Sequence, residues 1–323
     1  MSDLESKFLG CIIGCAVGDA FGEPYEGSLR SDLEKIYDLS SRYRGRYTDD
    51  TQLTLAIANS LIEGRGFNIN ILIDNFIKWL NEPPIGPGYG CLSAILNLAK
   101  GIRSPSNSGG NGTAMRVSPI GLFYHKEKDL DLLKKYAKES SLLTHNHWAA
   151  TAGAIVVARA VAYVINKPKI DEYDFIDTLA NFIDDPEYRT FPKYIRELKN
   201  YLEIPVKDAL KDLGLKGVEH PFIDIFNTPE IKGKGVISGY TIPTVLCSLY
   251  SFILFPNNYQ KSIEEIVRGG GDTDTTGAIC GAISGTFNGI EKIPSSLVNH
   301  LKNKEQIIST AKQLYKIYVE INE

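Results

Sequence analysis

The sequence predicts an all-α protein. Apolar residues recur at helical spacing along most of the chain, hardly any segment alternates as a strand would, and two stretches carry glycine at every fourth position. With 323 residues, 43% hydrophobic and 23% charged, the chain can bury a large core without staples.

The first helix is expected over 4–21, with Gly10, Gly14, Gly18 and Gly22 on one ridge. Each such glycine costs roughly 1 kcal/mol against alanine inside a helix, so a chain that keeps four in register uses them for close approach to a neighbour. The next helix, 51–64, follows Thr48-Asp49-Asp50-Thr51, where side-chain oxygens accept from free amides and the helix dipole favours negative charge. Helices over 70–81 and 91–101 come after it, the second opened by Gly86-Pro87-Gly88-Tyr89-Gly90. Two more, 129–142 and 147–166, meet at Thr144-His145-Asn146-His147.

From about 167 to 238 the chain is rich in lysine, acids and proline, with helices expected over 171–183 and 191–202. It carries no chemical motif and reads as a peripheral insertion or a partner-facing lobe. Gly239-Tyr240 then opens 241–255, the longest apolar run. At 15 residues, with Pro243 and two serines, that run falls short of the ~20 needed to cross a bilayer and reads as a core helix. Helices over 259–269, 273–288 and 302–320 complete the chain. The helix over 273–288 repeats the glycine ridge with Gly277, Gly281, Gly285 and Gly289.

A net charge of −4 offers no basic surface to nucleic acid. The N-terminus, Met1-Ser2-Asp3-Leu4-Glu5, carries acids where a secretory signal carries bases, so a cytoplasmic protein that neither enters a membrane nor is exported is expected. Cys11, Cys15, Cys91, Cys247 and Cys280 are odd in number, lack C-x-x-C spacing and lie in apolar stretches, as reduced core thiols do. A metal pair at Cys11 and Cys15 is disfavoured because no histidine is near.

Chemistry is concentrated in two acidic clusters far apart in sequence: Thr48-Asp49-Asp50-Thr51, and Asp272-Thr273-Asp274-Thr275-Thr276 after three glycines. Capping explains either alone, since one acceptor suffices for a cap. Together they supply paired carboxylates that repel unless a cation is shared. Hard oxygens without histidine or thiolate suit Mg²⁺ or Mn²⁺. If the clusters converge, a two-metal site with ions ~3.5–4 Å apart accounts for both.

Asn107-Ser108-Gly109-Gly110-Asn111-Gly112-Thr113-Ala114-Met115-Arg116 is a glycine-rich loop whose amides can cradle phosphate, with Arg116 near for charge, although such loops are more often plain turns. The amides at 86–90 are a weaker signal of the same kind. His145 is expected to contact ligand through a capping or hydrogen-bonding position rather than a buried one. His147 is as readily structural, and His125, His220 and His300 are expected at the surface. Tyr240 at a helix mouth suits purine stacking, against the commoner role of core tyrosine. No nucleophile elbow, Cys-His pair or Walker loop occurs.

These pieces, in their order, resemble the ADP-ribosylglycohydrolase family, the group that includes dinitrogenase reductase-activating glycohydrolase and the ADP-ribosyl-arginine hydrolases. The matching residues are Gly14-Cys15-Ala16-Val17-Gly18-Asp19-Ala20-Phe21-Gly22 with Glu26, Tyr47-Thr48-Asp49-Asp50-Thr51-Gln52, Gly110 to Arg116, Thr144 to His147, Gly239-Tyr240 and Gly270 to Thr275. The resemblance implies a single-domain orthogonal helical bundle over 1–323, with the insertion at about 167–238, and two Mg²⁺ or Mn²⁺ ions at the base of an ADP-ribose cleft. Carried over, the metal ligands are Thr48, Asp49, Asp50, Asp272, Asp274 and Thr275. Glu26 matches the gating and catalytic glutamate, with Asp50 or Asp274 orienting water. The loops around Gly88, Gly90, Gly110 and Gly112 match those that hold the diphosphate, with Tyr89, Ser108, Asn111 and Met115 beside them, and His145 and Tyr240 line the cleft. Glu23 before Pro24 and Thr113 depart from the usual small residues, which bears on the leaving group.

The implied activity is removal of ADP-ribose from a modified protein side chain, by a monomer acting on ADP-ribosylated protein, with the arginine N-linkage favoured over the serine O-linkage. Two other readings remain open at this point. One is a non-catalytic ADP-ribose-binding or crystallin-like relative, and the other is an immunity protein whose partner is an ADP-ribosylating toxin.

Overall fold

The computed structural model describes residues 1–219 and 234–322. Among them the chain forms α-helices and short 3-10 turns, and pairing between extended segments is limited to three isolated bridges. In order the helices are α1 (Asp3–Gly22), α2 (Arg30–Leu33), α3 (Asp49–Gly64), α4 (Ile69–Asn81), α5 (Tyr89–Leu98), α6 (Ser118–Phe123), α7 (Leu130–Ser141) and α8 (Trp148–Val164). They continue with α9 (Glu172–Phe182), α10 (Phe191–Glu197), α11 (Val206–Leu213), α12 (Thr241–Leu254), α13 (Tyr259–Val267), α14 (Thr273–Asn288), α15 (Ser295–His300) and α16 (Lys304–Asn322).

The two glycine ridges pack on each other. Gly10 lies against Gly285, Gly14 against Gly281, Gly18 against Gly277 and Gly22 against Thr273, so α1 and α14 run antiparallel with their backbones touching. A Cβ at Gly18 would stand 2.6 Å from the Gly277 carbonyl carbon, closer than side chains tolerate. The consequence reaches the chemistry. The C-terminal end of α1 is brought to the N-terminal end of α14, and Thr273 Oγ1 donates to Gly22 O at 2.8 Å.

The N-terminus of α3 is drawn to the same point by Asp19 on α1. Its carboxylate accepts from the backbone amides of Thr48 and Thr51, each at 3.0 Å, and from the Thr51 hydroxyl at 2.6 Å. An acceptor supplied by another helix thus satisfies amides that α3 itself leaves free. Pro243 sits in the first turn of α12, where no intrahelical partner for its nitrogen is needed. That helix is buried from Thr241 to Ile253, as its apolar run foretold.

One cluster of buried apolar side chains runs from α1 to α16. Tyr188, Phe191, Ile195, Leu198, Leu210 and Leu213, from the stretch expected to be peripheral, belong to it. The Tyr250 hydroxyl on α12 donates to Ile204 O at 3.0 Å. All five cysteines are free and buried, and no described helix is long and apolar enough to cross a membrane.

The structure differs from the sequence reading in places. Helices α2, α6, α11 and α15 span four to eight residues, too short for periodicity to reveal. The helix expected over 191–202 passes into a 3-10 turn at Leu198–Tyr201. His125 is buried rather than exposed. It closes α6 by donating from Nδ1 to Leu122 O at 2.7 Å, and its ring packs on Phe8 and Tyr318. His300 is exposed, and His220 lies outside the described residues.

Candidate active site

Where the three helix ends meet, the two acidic clusters face each other across a cavity of about 650 Å³. Asp50 Oδ2 lies 3.0 Å from Thr48 Oγ1 and 3.4 Å from Thr275 Oγ1, so residues 225 apart in sequence share one oxygen. Glu26, Asp272 and Asp274 each place a carboxylate oxygen within 4.8 Å of the others. Thr273 N donates to Glu26 Oε2 at 3.0 Å, and Thr275 N to Asp274 Oδ1 at 2.8 Å. Asn111 Nδ2, from the glycine-rich loop, donates to Asp272 Oδ2 at 2.7 Å and to Thr244 Oγ1 at 3.0 Å.

The electrostatics of this cluster are one-signed. Burial first, and Asp274 second, push Asp49, Asp50 and Asp272 well above the usual carboxylate range, and push Asp19 up to about 7. Glu26 is raised by the same two causes, with Asp272 adding to them. It opens on the cavity beside these acids. No basic side chain is among the leading influences on any of them. Such a group must either take up protons or share cations.

The donor set answers which cation. Every contributing atom is a carboxylate or hydroxyl oxygen, and Asp50 Oδ1 is buried without a hydrogen-bond partner among the described residues. That orphaned oxygen, among hard ligands and without thiolate or imidazole, fits Mg²⁺ or Mn²⁺.

Away from the acids, the cavity is walled by loops stitched together through backbone bonds. Ser106 N donates to Thr144 O at 2.8 Å and Asn146 N to Ser106 O at 2.7 Å, while Asn111 N donates to Gly239 O at 3.1 Å. The His145 ring stands between two glycines. A Cβ at Gly90 would lie 2.9 Å from Nε2, and one at Gly112 would lie 3.2 Å from Cε1. Gly88 precedes α5 and leaves that helix's amides free at the wall, with Tyr89 87% exposed beside them.

Of the residues singled out from sequence, Glu26, Asp49, Asp50, Gly88, Tyr89, Gly90, Ser108, Gly110, Asn111, Gly112, Met115, His145, Tyr240, Asp272, Asp274 and Thr275 all line the cavity. Thr48 stands behind it, between Asp19 and Asp50. His145 is 3% exposed, a buried wall residue rather than an open cap, and burial lowers its pKa to about 3. Tyr240 is 1% exposed and presses on Gly109, where a Cβ would meet its Cζ at 2.9 Å, so it is a core tyrosine and a lining one together. His147 lines the cavity and also caps α8, its Nδ1 accepting from Ala149 N at 3.2 Å.

Sequence reasoning placed Asp19 at the end of the first glycine ridge and in a matching motif but gave it no role. It missed Cys91, Ser106, Asn107 and Glu219 as lining residues. Glu219 comes from the motif-poor stretch and is held by Trp148 Nε1 at 3.2 Å and Arg189 Nη1 at 3.5 Å.

A family model described as ADP-ribosylglycohydrolase matches residues 1–322. The chain is 30% identical to an uncharacterized protein of Archaeoglobus fulgidus, over 98% of this chain and 99% of that one. It is 27% identical to ADP-ribosylhydrolase ARH3 of Danio rerio, covering 97% and 91%, and 26% identical to ADP-ribosylhydrolase ARH3 of Homo sapiens, covering 84% and 79%. A solved structure called an ADP-ribosylglycohydrolase-related protein complex shares the fold with a TM-score of 0.69, at 23% identity, over 98% of this chain and 100% of that one.

Proposed function

This chain belongs to the ADP-ribosylglycohydrolase family, and on that premise we propose that it is a metal-dependent hydrolase that releases ADP-ribose from a modified protein side chain. The observation that carries the reading is the shared oxygen environment of Asp50 and Thr275, which joins two acidic clusters at the floor of one cavity. Thr48, Asp49, Asp50, Asp272, Asp274 and Thr275 would hold two divalent cations, Mg²⁺ or Mn²⁺. When bound, such ions supply Lewis acidity toward water and ribose hydroxyls.

The chain's own residues position the rest. The amides of Tyr89 and Gly90 at the start of α5, and that of Gly112, receive the diphosphate. His147, held edge to face with the buried Tyr240 ring at 6.1 Å, offers aromatic surface for the purine. Cleavage at the anomeric carbon builds positive charge on the ribose, which the acids on the cavity floor offset. Asp50 or Asp274 orients the attacking water. Glu26, beside Asp272 and Asp274 at the cavity, gives a proton to the departing nitrogen or oxygen.

The arginine N-glycoside expected from the motifs is the first linkage to test. The protein is incubated with arginine-linked and serine-linked ADP-ribosylated proteins in Mg²⁺, Mn²⁺ or EDTA, and released ADP-ribose is measured. Metal-dependent release on one substrate supports the proposal and assigns the linkage. Binding of ADP-ribose without release from either substrate refutes catalysis. Asp274→Asn should lose cation binding and turnover together, by about 10³-fold or more.

A further inference from the structure

The buried residues behind the His145 ring are not used by the reaction as described, and they decide what that ring presents to a ligand. Arg116 is fully buried, with its guanidinium stacked 4.8 Å over the Phe76 ring. Its Nη2 donates to Thr144 Oγ1 at 2.7 Å, and its Nη1 to Gly112 O at 2.7 Å. Thr144 Oγ1 in turn lies 2.9 Å from His145 Nδ1.

A guanidinium can only donate, and a hydroxyl has one proton to give. Oγ1 therefore accepts from Arg116 and points its single hydrogen at an acceptor. Cys91 Sγ, a soft and weak acceptor, is also within bonding reach of Thr144 and already receives Arg116 Nη1 at 3.2 Å. Nδ1 at 2.9 Å is the stronger acceptor of the two, and when it takes the hydrogen it is unprotonated. A neutral imidazole with a bare Nδ1 carries its proton on Nε2. Nε2 has no partner among the described residues, and only the missing side chain of Gly90 leaves it open to the cavity.

We propose that Arg116 and Thr144 are positioning residues that fix His145 as the Nε2–H tautomer, a neutral hydrogen-bond donor aimed at a phosphate oxygen held between the Gly90 and Gly112 loops. The arrangement gives the diphosphate end a directed donor without adding a titrating cation to the wall. The ligand assignment rests on the ADP-ribose reading, whereas the tautomer does not.

The test uses ¹⁵N-labelled protein without ligand and two-bond ¹H–¹⁵N correlation of the imidazoles, with the His145 signals assigned by their loss in His145→Gln. The expected result is a protonated Nε2 and a bare Nδ1. A proton on Nδ1, or rapid averaging between the two nitrogens, overturns the proposal without need of any further variant. Thr144→Val should let the tautomers average and weaken ADP-ribose binding about tenfold in calorimetry with Mg²⁺, the scale of one neutral hydrogen bond. Thr144→Ser should restore both properties. Unchanged tautomer and unchanged affinity in Thr144→Val would also overturn it. If wild type binds no ADP-ribose while Nε2 is protonated, the ADP-ribose reading fails and the relay stands.

Discussion

Substituting alanine for Gly281 should destabilise the protein and loosen its cation site from a distance. In an ordinary helix interior the change gains about 1 kcal/mol. Here the new Cβ would lie 3.0 Å from the Gly14 carbonyl carbon, closer still to its oxygen, and 3.2 Å from the Tyr259 hydroxyl. That hydroxyl donates to Gly14 O at 2.7 Å, so the same spot is occupied from two sides. Carbon atoms in contact settle at about 3.5–4.0 Å, which asks α1 and α14 to part by roughly 0.5–1 Å or more. Overpacking of this kind costs about 1–3 kcal/mol and more where backbone must move. Net of the gain in helix propensity, a loss of about 2 kcal/mol is expected, or roughly 3 °C in melting temperature for a chain of this size.

The same separation acts at the end of the helix pair, where Thr273 bonds Gly22 O and Glu26. Mg²⁺ affinity should therefore fall although residue 281 touches no ligand. Differential scanning calorimetry measures the first effect and calorimetric Mg²⁺ titration the second. A variant that melts higher than wild type and binds Mg²⁺ equally well would show that the glycine ridge does not set the approach of the two helices.

Glu26→Gln keeps an acceptor for the Thr273 amide and should leave melting within about 1 kcal/mol of wild type, while turnover falls roughly 10²–10⁴-fold, the usual contribution of a positioned acid. Equal release of ADP-ribose by the two proteins would remove Glu26 from the reaction. Asp19→Ala should cost about 2–4 kcal/mol by stripping acceptors from the Thr48 and Thr51 amides and hydroxyls; urea unfolding checks this, and a loss below about 0.5 kcal/mol contradicts it. Metal-free protein should become less stable as pH rises. Asp19 binds its proton with a pKa of about 7 when folded and 3.8 otherwise, so the folded state holds the extra proton in that window. The stability is complete below about pH 4 and is lost as pH climbs through about 7, at up to about 1.4 kcal/mol per pH unit for one group. Melting in EDTA should fall from about pH 5 to about pH 8, and saturating Mg²⁺, which favours the ionised acids, should flatten the trend. A melting temperature in EDTA that rises over this range would contradict the sign.

The long helices were legible because their cores are written in every turn. Helices α1, α3, α4, α8, α12 and α14 lie within a few residues of where periodicity placed them. Short helices such as α6 and α15 were not, since six residues hold less than two turns of pattern. Chemistry was legible where residue types cluster locally, as in Asp49 with Asp50 and Asp272 with Asp274. The role of Asp19 was illegible, because its partners, Thr48 and Thr51, lie 29 and 32 residues away. Asn111 shows the intermediate case. Its loop read as a phosphate cradle, yet its side chain spans 161 residues to hold Asp272.

By itself the sequence determined the helical class, the inventory of hard oxygens and the glycine ridges that demand a close neighbour, because each depends on spacing within one or two turns. Tertiary structure alone decided that the ridges meet each other, that Asp50 and Thr275 share an oxygen environment, and that Thr144 lies between Arg116 and His145. Such contacts depend on which faces pack when the whole core closes, and no local spacing carries that information.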